Sequence, residues 1–141
     1  YGNQYAQEAS MKQIFEEADV FSFHIPQTEE TLFMGNKAFF DAFKKPIYLI
    51  NLARGKIVRI KDLLAAIDEG KVLGACLDVL EFESSSFEQT SPQKENAVFS
   101  KLVNSEKIIL SPHVGGWSVE SYFKLSDVLA DKILANKSSF L

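Results

Sequence analysis

One of the two histidines in the chain, His113, has neighbours that suit a functional residue better than a packing residue. It follows the apolar run KIILS (107–111) and a proline, and two glycines come soon after it in SPHVGG (111–116). Proline fixes the backbone and glycine frees it, and packing alone requires neither. Histidine is also the side chain whose charge changes near neutral pH, so proton transfer is the chemistry it suggests.

Polar residues also follow the other apolar runs of the sequence. Arg54 comes directly after IYLINLA (47–53), Asp78 lies near the end of LGACLDVL (73–80), and Glu83 comes shortly after it. His24 stands near the end of the first run and is the weakest candidate. Taken singly, each has an ordinary explanation as a solvated loop charge, a turn cap or a surface acid. An arginine, an acid and a histidine at one edge of a sheet favour a functional site, because ligands bind outside the carboxyl ends of parallel strands.

The elements that must position these residues are four strands separated by helices. The strands are predicted from apolar runs that mostly lack polar alternation, which is typical of strands buried on both faces: 19–25, 47–53, 73–80 and 107–111. Strands that alternate with helices indicate βαβ units and a parallel sheet, an α/β fold. The Ser-, Gln- and Glu-rich stretch 81–96 is predicted to be a surface loop.

Helical patterns fill the gaps between these strands. Ser10 and Gln13 fit a capping box, and Asn36 fits the N-cap of the next helix. A third helix places Leu63, Leu64 and Ile67 on one stripe and ends before Gly70. The longest helix covers 118–136, with its apolar residues on one side: Tyr122, Leu125, Val128, Leu129 and Ile133.

Composition indicates a soluble globular domain of 141 residues, 46% hydrophobic and 24% charged. A net charge of −4 with scattered lysines argues against nucleic-acid binding. The single cysteine, Cys76, forms no intrachain disulfide and favours a reducing cytoplasm. No apolar stretch approaches the roughly 20 residues that span a bilayer, and the first residues carry no signal-peptide pattern.

The motifs together resemble a known family. NLARGKIVRIKDLLAAIDEGKVLGACLDVLEFE (51–83), followed by SPHVGG, is similar to the D-isomer-specific 2-hydroxyacid dehydrogenases, which include phosphoglycerate, D-lactate and glyoxylate/hydroxypyruvate enzymes. The ARG, LDV-x4-E and PH-x-GG blocks occur in the family's order and spacing. The likeness implies a Rossmann-like parallel sheet with flanking helices, with residues 1–141 as the C-terminal part, or second half, of an NAD-binding domain.

The resemblance implies a role for each catalytic candidate. Arg54 would bind the substrate carboxylate through its guanidinium fork. His113 would protonate the keto oxygen as hydride arrives, or remove the hydroxyl proton in reverse. Glu83 would hold the other imidazole nitrogen, fix the ring and favour the imidazolium. The close relative formate dehydrogenase has a glutamine in place of this acid and is therefore less favoured.

The resemblance also implies a set of cofactor-binding residues. Asp78 would accept a hydrogen bond from the nicotinamide carboxamide. The cofactor would also be bordered by Arg54 and His113 and lined by backbone at Ile25, Pro26, Leu52, Ala53, Gly115 and Gly116. NAD is the family's usual cofactor, and NADP stays open because the acid that reads the ribose is not in this chain. No metal is implied.

Several features depart from the family pattern. Ser84 stands where proline is frequent, Arg59 where an acid is usual, and Trp117 where a small residue is common. None of the seven glycines forms the G-x-G-x-x-G turn that binds pyrophosphate. The glycine-rich turn and the substrate domain are therefore expected to lie outside this chain, and the chain alone is expected to bind NAD poorly and to turn over nothing.

The predicted function is thus part of an oxidoreductase that interconverts a small D-2-hydroxy acid and its 2-keto acid. The VGGW stretch (114–117) and the closing helix are most similar to short phosphoglycerate dehydrogenases, which favours 3-phosphoglycerate. The alternative is an NAD(H)-sensing corepressor on the same scaffold, because such proteins keep the same three catalytic-type residues. A homodimer is expected of the full-length protein.

Overall fold

The fold is a four-stranded parallel sheet with helices packed against it. The computed structural model describes residues 4–82 and 97–135. Its strands are β1 (Val20–Phe23), β2 (Ile47–Asn51), β3 (Val72–Leu77) and β4 (Ile108–Leu110), ordered β1-β2-β3-β4. All three neighbouring pairs are parallel, so the four carboxyl ends meet at one edge. The predicted strands and the Rossmann-like α/β class are confirmed.

The helices connect and flank these strands. They are α1 (Met11–Glu17), α2 (Lys37–Ala42), α3 (Ile60–Asp68), α4 (Ala97–Val103) and α5 (Val119–Ala135), with a 3₁₀ turn at Gly55–Ile57. Helix α4 was not predicted, because it lies beside the polar stretch interpreted as a loop. Residues 83–96 of that stretch, Glu83 and Ser84 included, are outside the described residues.

Local signals in the sequence begin and end the predicted helices. The Ser10 hydroxyl accepts from the Gln13 amide, and Gln13 Oε1 accepts from the Ser10 amide, so the capping box is present. Asn36 Oδ1 accepts from the Phe39 amide, 3.1 Å away, at the start of α2. Gly70 takes φ +74° just after α3, the left-handed conformation that glycine adopts without strain.

A phenylalanine cluster fills the core beneath β1 and α2. The ring of Phe39, which is buried, has its centroid 5.1–5.6 Å from those of five other rings, mostly in edge-to-face contact: Phe15, Phe21, Phe23, Phe40 and Phe43. The predicted stripe of α3 is buried in the same core, with Leu63 fully enclosed. Packing of this kind holds the sheet rigid beneath its edge loops.

The strands are buried on one face only, so the prediction of burial on both faces is wrong for the described residues. Tyr48 of β2 is 52% exposed and Leu73 of β3 44%, whereas the residues on either side of each are buried. Ile109 of β4 is 67% exposed and has no buried neighbour within its strand. Helix α5 has no buried residue between 119 and 135. The strands lack polar residues at alternate positions, so apolar side chains lie on both faces of the sheet. Among the described residues, other elements cover only one of these faces.

Candidate active site

The candidate residues that the structure describes lie at the carboxyl edge of the sheet. Arg54 follows β2, Asp78 follows β3 directly, and His113 follows β4. His24 follows β1 and places its Nε2 atom 2.8 Å from the hydroxyl of Ser22, a local contact within the same segment. The structure therefore gathers Arg54, Asp78 and His113 at one edge, as predicted, while Glu83 lies outside the described residues.

The loop that carries Arg54 is fixed by a buried asparagine at the end of β2. Asn51 is fully buried; its Nδ2 donates to the Arg54 carbonyl oxygen and its Oδ1 accepts from the Ala53 amide, both at 3.1 Å. The guanidinium Nη1 of Arg54 donates to the carbonyl oxygen of Ala53 at 2.7 Å. The side chain of Arg54 is exposed, so its remaining donors can meet an anion from solvent.

The segment after β3 crosses directly over the Arg54 loop. A β-carbon at position 55 would lie 1.9 Å from the carbonyl oxygen of Leu80 and 2.9 Å from the amide nitrogen of Glu81. Only glycine allows two backbones to approach this closely. Gly55 thus keeps the ARG motif in contact with the chain that leads on to Glu83.

Glu81 fastens that crossing segment to the start of α3. Its Oε1 accepts from the Ile60 amide at 3.1 Å, at a helix start where Arg59 makes no side-chain cap. Arg59 instead lies over the Phe33 ring, 4.8 Å from its centroid. Burial raises the pKa of Glu81, although the Ile60 hydrogen bond and the charge of Arg59 act in the opposite direction.

Asp78 is the buried centre of the His113 loop. The residue is 2% exposed. Its Oδ1 accepts from the Ser111 hydroxyl at 2.6 Å and the Val114 amide at 2.8 Å, and its Oδ2 accepts from the Gly115 amide at 2.8 Å. The carboxylate therefore binds the chain on both sides of His113.

These hydrogen bonds decide the ionisation of Asp78. Burial taken alone raises its pKa, because a carboxylate loses hydration. The Ser111 hydroxyl, the amides of Gly115 and Val114 and the charge of a protonated His113 together outweigh burial, so the pKa lies below the ordinary value for aspartate. Asp78 is accordingly an anion at neutral pH.

His113 has a strained backbone within this loop. Its φ is +57°, in the left-handed region that residues other than glycine rarely adopt. The residue is half-buried, and its Nδ1 atom is enclosed. Such a conformation persists only where the surroundings impose it, and it is concentrated at functional sites.

Gly115 joins the His113 loop to the Arg54 loop. A β-carbon there would lie 2.8 Å from Leu52 Cδ2 and 2.9 Å from Asp78 Oδ2. The loops after β2, β3 and β4 are thus interlocked at two places, through Gly55 and through Gly115. A β-carbon on Gly116, by contrast, would meet no atom within 4 Å, so open space lies beside that backbone.

The residues predicted to line the cofactor lie in varied settings along this edge. Leu52, Pro26 and Gly116 are exposed, Ile25 is half-buried against the core, and Ala53 is buried. Exposed apolar and glycine positions fit the flat face of a nicotinamide ring, and the open space beside Gly116 leaves room for it. The edge fits the nicotinamide end of NAD, whereas no G-x-G-x-x-G turn for the pyrophosphate occurs in the sequence.

Three residues that organise the edge were missed in the sequence: Asn51, Glu81 and Ser111. Asn51 and Ser111 are polar residues near the ends of apolar runs, and this was the only feature of the sequence that indicated a role for them. Glu81 was indistinguishable from its acidic neighbours. The partners of Glu81 and Ser111 are distant in sequence, at Ile60 and Asp78, and spacing cannot reveal such contacts, whereas Asn51 bonds to the backbone of its own loop.

The described residues contain neither a candidate membrane span nor a candidate metal cluster. Among residues 4–82 and 97–135, no helix has the length and apolarity to cross a membrane. Within the same ranges, no group of three or more histidine, cysteine, aspartate or glutamate side chains is placed to hold a metal ion.

Similarity to known sequences covers most of the chain. The family model "D-isomer specific 2-hydroxyacid dehydrogenase, NAD binding domain" matches residues 2–115. A D-lactate dehydrogenase of Staphylococcus aureus (strain Mu50) is 34% identical over 114 residues, which are 79% of this chain and 34% of the relative. One from Streptococcus agalactiae serotype V is 37% identical over the same shares. The chain spans about a third of the length of the curated relatives it matches.

Solved structures agree in fold. D-lactate dehydrogenase with NAD⁺ from Lactobacillus jensenii gives a TM-score of 0.73 at 32% identity, over 92% of this chain and 40% of that one. The NAD complex of a D-isomer specific 2-hydroxyacid dehydrogenase from Lactobacillus delbrueckii ssp. bulgaricus gives 0.74 at 28%, over the same shares. With a family match over most of its length and relatives above 30% identity, the chain belongs to the D-isomer specific 2-hydroxyacid dehydrogenases and carries sequence of their NAD-binding domain.

Proposed function

We propose that the full-length protein is an NAD-dependent oxidoreductase that interconverts a small D-2-hydroxy acid and its 2-keto acid. The observation that carries the proposal is the His113 loop: a histidine in a left-handed backbone conformation, with the Ser111 hydroxyl before it and the amides of Val114 and Gly115 after it all bound to one buried carboxylate. Family membership supports it independently.

Arg54 is proposed to bind the substrate carboxylate. Its side chain is exposed at the carboxyl edge, its backbone is held by Asn51, and one guanidinium nitrogen is already oriented by the Ala53 carbonyl. An arginine fork presents two parallel donors to a carboxylate, which a lysine does not.

His113 is proposed to exchange a proton with the substrate oxygen. It would give the proton to the keto oxygen during reduction and remove it from the hydroxyl during oxidation. Bound NAD(H) supplies or accepts the hydride at this edge. Ile25, Pro26, Leu52, Ala53 and the backbone of Gly115 and Gly116 would border the nicotinamide end of the cofactor.

Two further assignments complete the proposed site. Glu83 is proposed to hold the imidazole of His113, on the strength of the family motif. Asp78 is proposed to face the nicotinamide carboxamide; its Oδ2 accepts one hydrogen bond from the described residues, and a carboxylate oxygen can accept two.

D-Lactate is the substrate we put first. The curated relatives reported above are named D-lactate dehydrogenases, as is one of the two structures. The comparisons lend no support to 3-phosphoglycerate or to the corepressor alternative. Both belong in the test, because the substrate-selecting groups are not identified in this chain.

The test is oxidation of NADH by the full-length protein with a panel of keto acids that includes pyruvate, glyoxylate and 3-phosphohydroxypyruvate. We expect turnover with pyruvate, and a loss of about 10²–10⁴-fold in kcat for His113→Gln. NADH binding without turnover of any keto acid would instead favour the corepressor. A His113→Gln variant of near-normal rate would remove His113 from the mechanism.

Substitution of the arginine tests the carboxylate site separately. Arg54→Lys should raise KM for the keto acid by about 10-fold or more, because the bidentate contact is worth on the order of 1.5–3 kcal/mol. Arg59→Lys is the matched control, since Arg59 lies over Phe33 and is assigned no contact with substrate. Equal KM values for the two variants would refute the role of Arg54.

Location and assembly are proposed on narrower grounds. A cytoplasmic location is supported by the single cysteine, Cys76. One cysteine can form no disulfide within these 141 residues, and the lack of disulfides is typical of proteins in a reducing compartment. A homodimer rests on the family resemblance, and light scattering of the full-length protein measures it directly.

A further inference from the structure

Ser111 connects the last strand to the buried carboxylate of the His113 loop. Its backbone amide donates to the Leu77 carbonyl oxygen at 3.1 Å, which continues the β3–β4 ladder by one residue. Its hydroxyl donates to Asp78 Oδ1 at 2.6 Å. The ladder thus fixes the backbone of Ser111, and its hydroxyl bonds to a carboxylate in the loop that follows the neighbouring strand β3.

The hydrogen bonds of Asp78 lie on both sides of His113. Two come from the following residues, the amides of Val114 and Gly115. On the preceding side Pro112 has no N–H to donate. The Ser111 hydroxyl is therefore the donor that ties Asp78 to the chain before His113.

We propose that Ser111 is a positioning residue for His113: its hydroxyl anchors the Asp78 carboxylate, which in turn holds the Val114 and Gly115 amides and keeps His113 in its left-handed conformation. The anchoring role stands on the geometry. Its importance for proton transfer rests on the proposed function.

Loss of the hydroxyl should loosen the loop without unfolding the sheet. Ser111 is exposed, so Ser111→Ala leaves no cavity in the core. Asp78 would keep its two amide donors but lose the one donor outside the turn. The carboxylate could then move with the loop, and the backbone of His113 could relax towards an ordinary φ.

The first measurement is amide hydrogen exchange by NMR on the full-length protein. In Ser111→Ala we expect the Val114 and Gly115 amides to exchange about 10-fold faster or more, because a hydrogen bond to a charged group contributes about 1.5–3 kcal/mol. Ser111→Thr keeps the hydroxyl and should restore protection to within about threefold. Ser105→Ala is the matched control, since its hydroxyl accepts from the Lys107 amide before β4.

Unchanged exchange in Ser111→Ala, or equal acceleration in Ser111→Ala and Ser111→Thr, would overturn the proposal. Should the alanine variant fail to fold, Ser111→Cys serves in its place, because a thiol of similar size is a weak donor.

The second measurement uses the full-length enzyme. Ser111→Ala should lower kcat by about 10-fold with KM for the keto acid nearly unchanged, and Ser111→Thr should restore kcat. A change in KM alone would contradict a role through His113.

The anchoring role of Ser111 and the proposed function can each fail without the other. Faster exchange without turnover of any 2-keto acid refutes the proposed function and leaves the anchor standing, whereas turnover with unchanged exchange does the reverse.

Discussion

The carbonyl oxygen of Leu80 occupies the space that a side chain on Gly55 would need, 1.9 Å from the position of its β-carbon. The loop after β2 and the segment after β3 are therefore in direct backbone contact at this point. Arg54 directly precedes Gly55, and Glu83 comes three residues after Leu80, so two of the candidate catalytic residues are close in sequence to this contact.

Gly55→Ala should separate these segments. Because the blocking atoms belong to the backbone and cannot rotate away, we expect a loss of more than about 3 kcal/mol in the free energy of unfolding, measured by urea denaturation. Gly116→Ala is the control, since its β-carbon would meet nothing within 4 Å. Equal denaturation midpoints for the two variants would contradict the close approach.

The low pKa of Asp78 predicts an acid-sensitive contribution to stability. A folded-state pKa below the unfolded value of about 3.9 means that the contribution is complete above that pH and is lost as pH falls through the folded pKa. At pH 7, Asp78→Asn should lower the free energy of unfolding by about 2 kcal/mol or more, and the difference should shrink near pH 2. Asp127→Asn, on the exposed helix α5, is the control; a pH-independent difference would refute the argument.

The raised pKa of Glu81 predicts the opposite pH dependence of the free energy of unfolding. Burial raises its pKa, so the folded chain holds the proton longer and stability falls as pH rises through the window between the unfolded and folded values. Glu81→Gln keeps an acceptor for the Ile60 amide and should be at least as stable as the wild type at pH 7, and this advantage should shrink at pH 4, because the wild-type fold then gains stability from the bound proton. Glu81→Ala loses the cap and should cost about 1 kcal/mol. Thermal melts at both pH values decide between these outcomes.

Phe39 should be the most costly ring to remove from the aromatic cluster. Phe39→Ala leaves a cavity among five other rings and should lower the free energy of unfolding by about 3–5 kcal/mol. Phe123 of α5 is 68% exposed, so Phe123→Ala should change the free energy of unfolding by less than about 0.5 kcal/mol. Comparable losses in the two variants would show that the cluster is not the core of this region.

Much of the fold was predictable because it depends on local signals. Apolar runs marked the strands, and capping residues such as Ser10 and Asn36 marked helix starts correctly. The uncovered face of the sheet was not predictable, since an apolar residue such as Tyr48 or Leu73 reads the same whether or not a helix covers it. Burial depends on what packs against a strand, and the strand's own sequence does not record that.

The same distinction between local sequence signals and tertiary packing applies to the candidate site. The carboxyl edge follows from strand direction, so Arg54, Asp78 and His113 could be assigned to it from their positions alone. Two of the contacts that organise this edge, Ser111 with Asp78 and Glu81 with the Ile60 amide, depend on how segments distant in sequence cross. Those crossings are set by tertiary packing, and no short motif encodes them.

The left-handed backbone at His113 also restricts which residues can ever replace it. Valine, isoleucine and threonine are excluded by their branched β-carbons, whereas asparagine, aspartate and glycine adopt this conformation readily. The set of residues tolerated at position 113 is thus limited by backbone conformation as well as by side-chain chemistry. Where the proposed proton transfer is not required, asparagine or glycine is expected at this position, and His113→Asn is the substitution that removes the imidazole while leaving the turn intact.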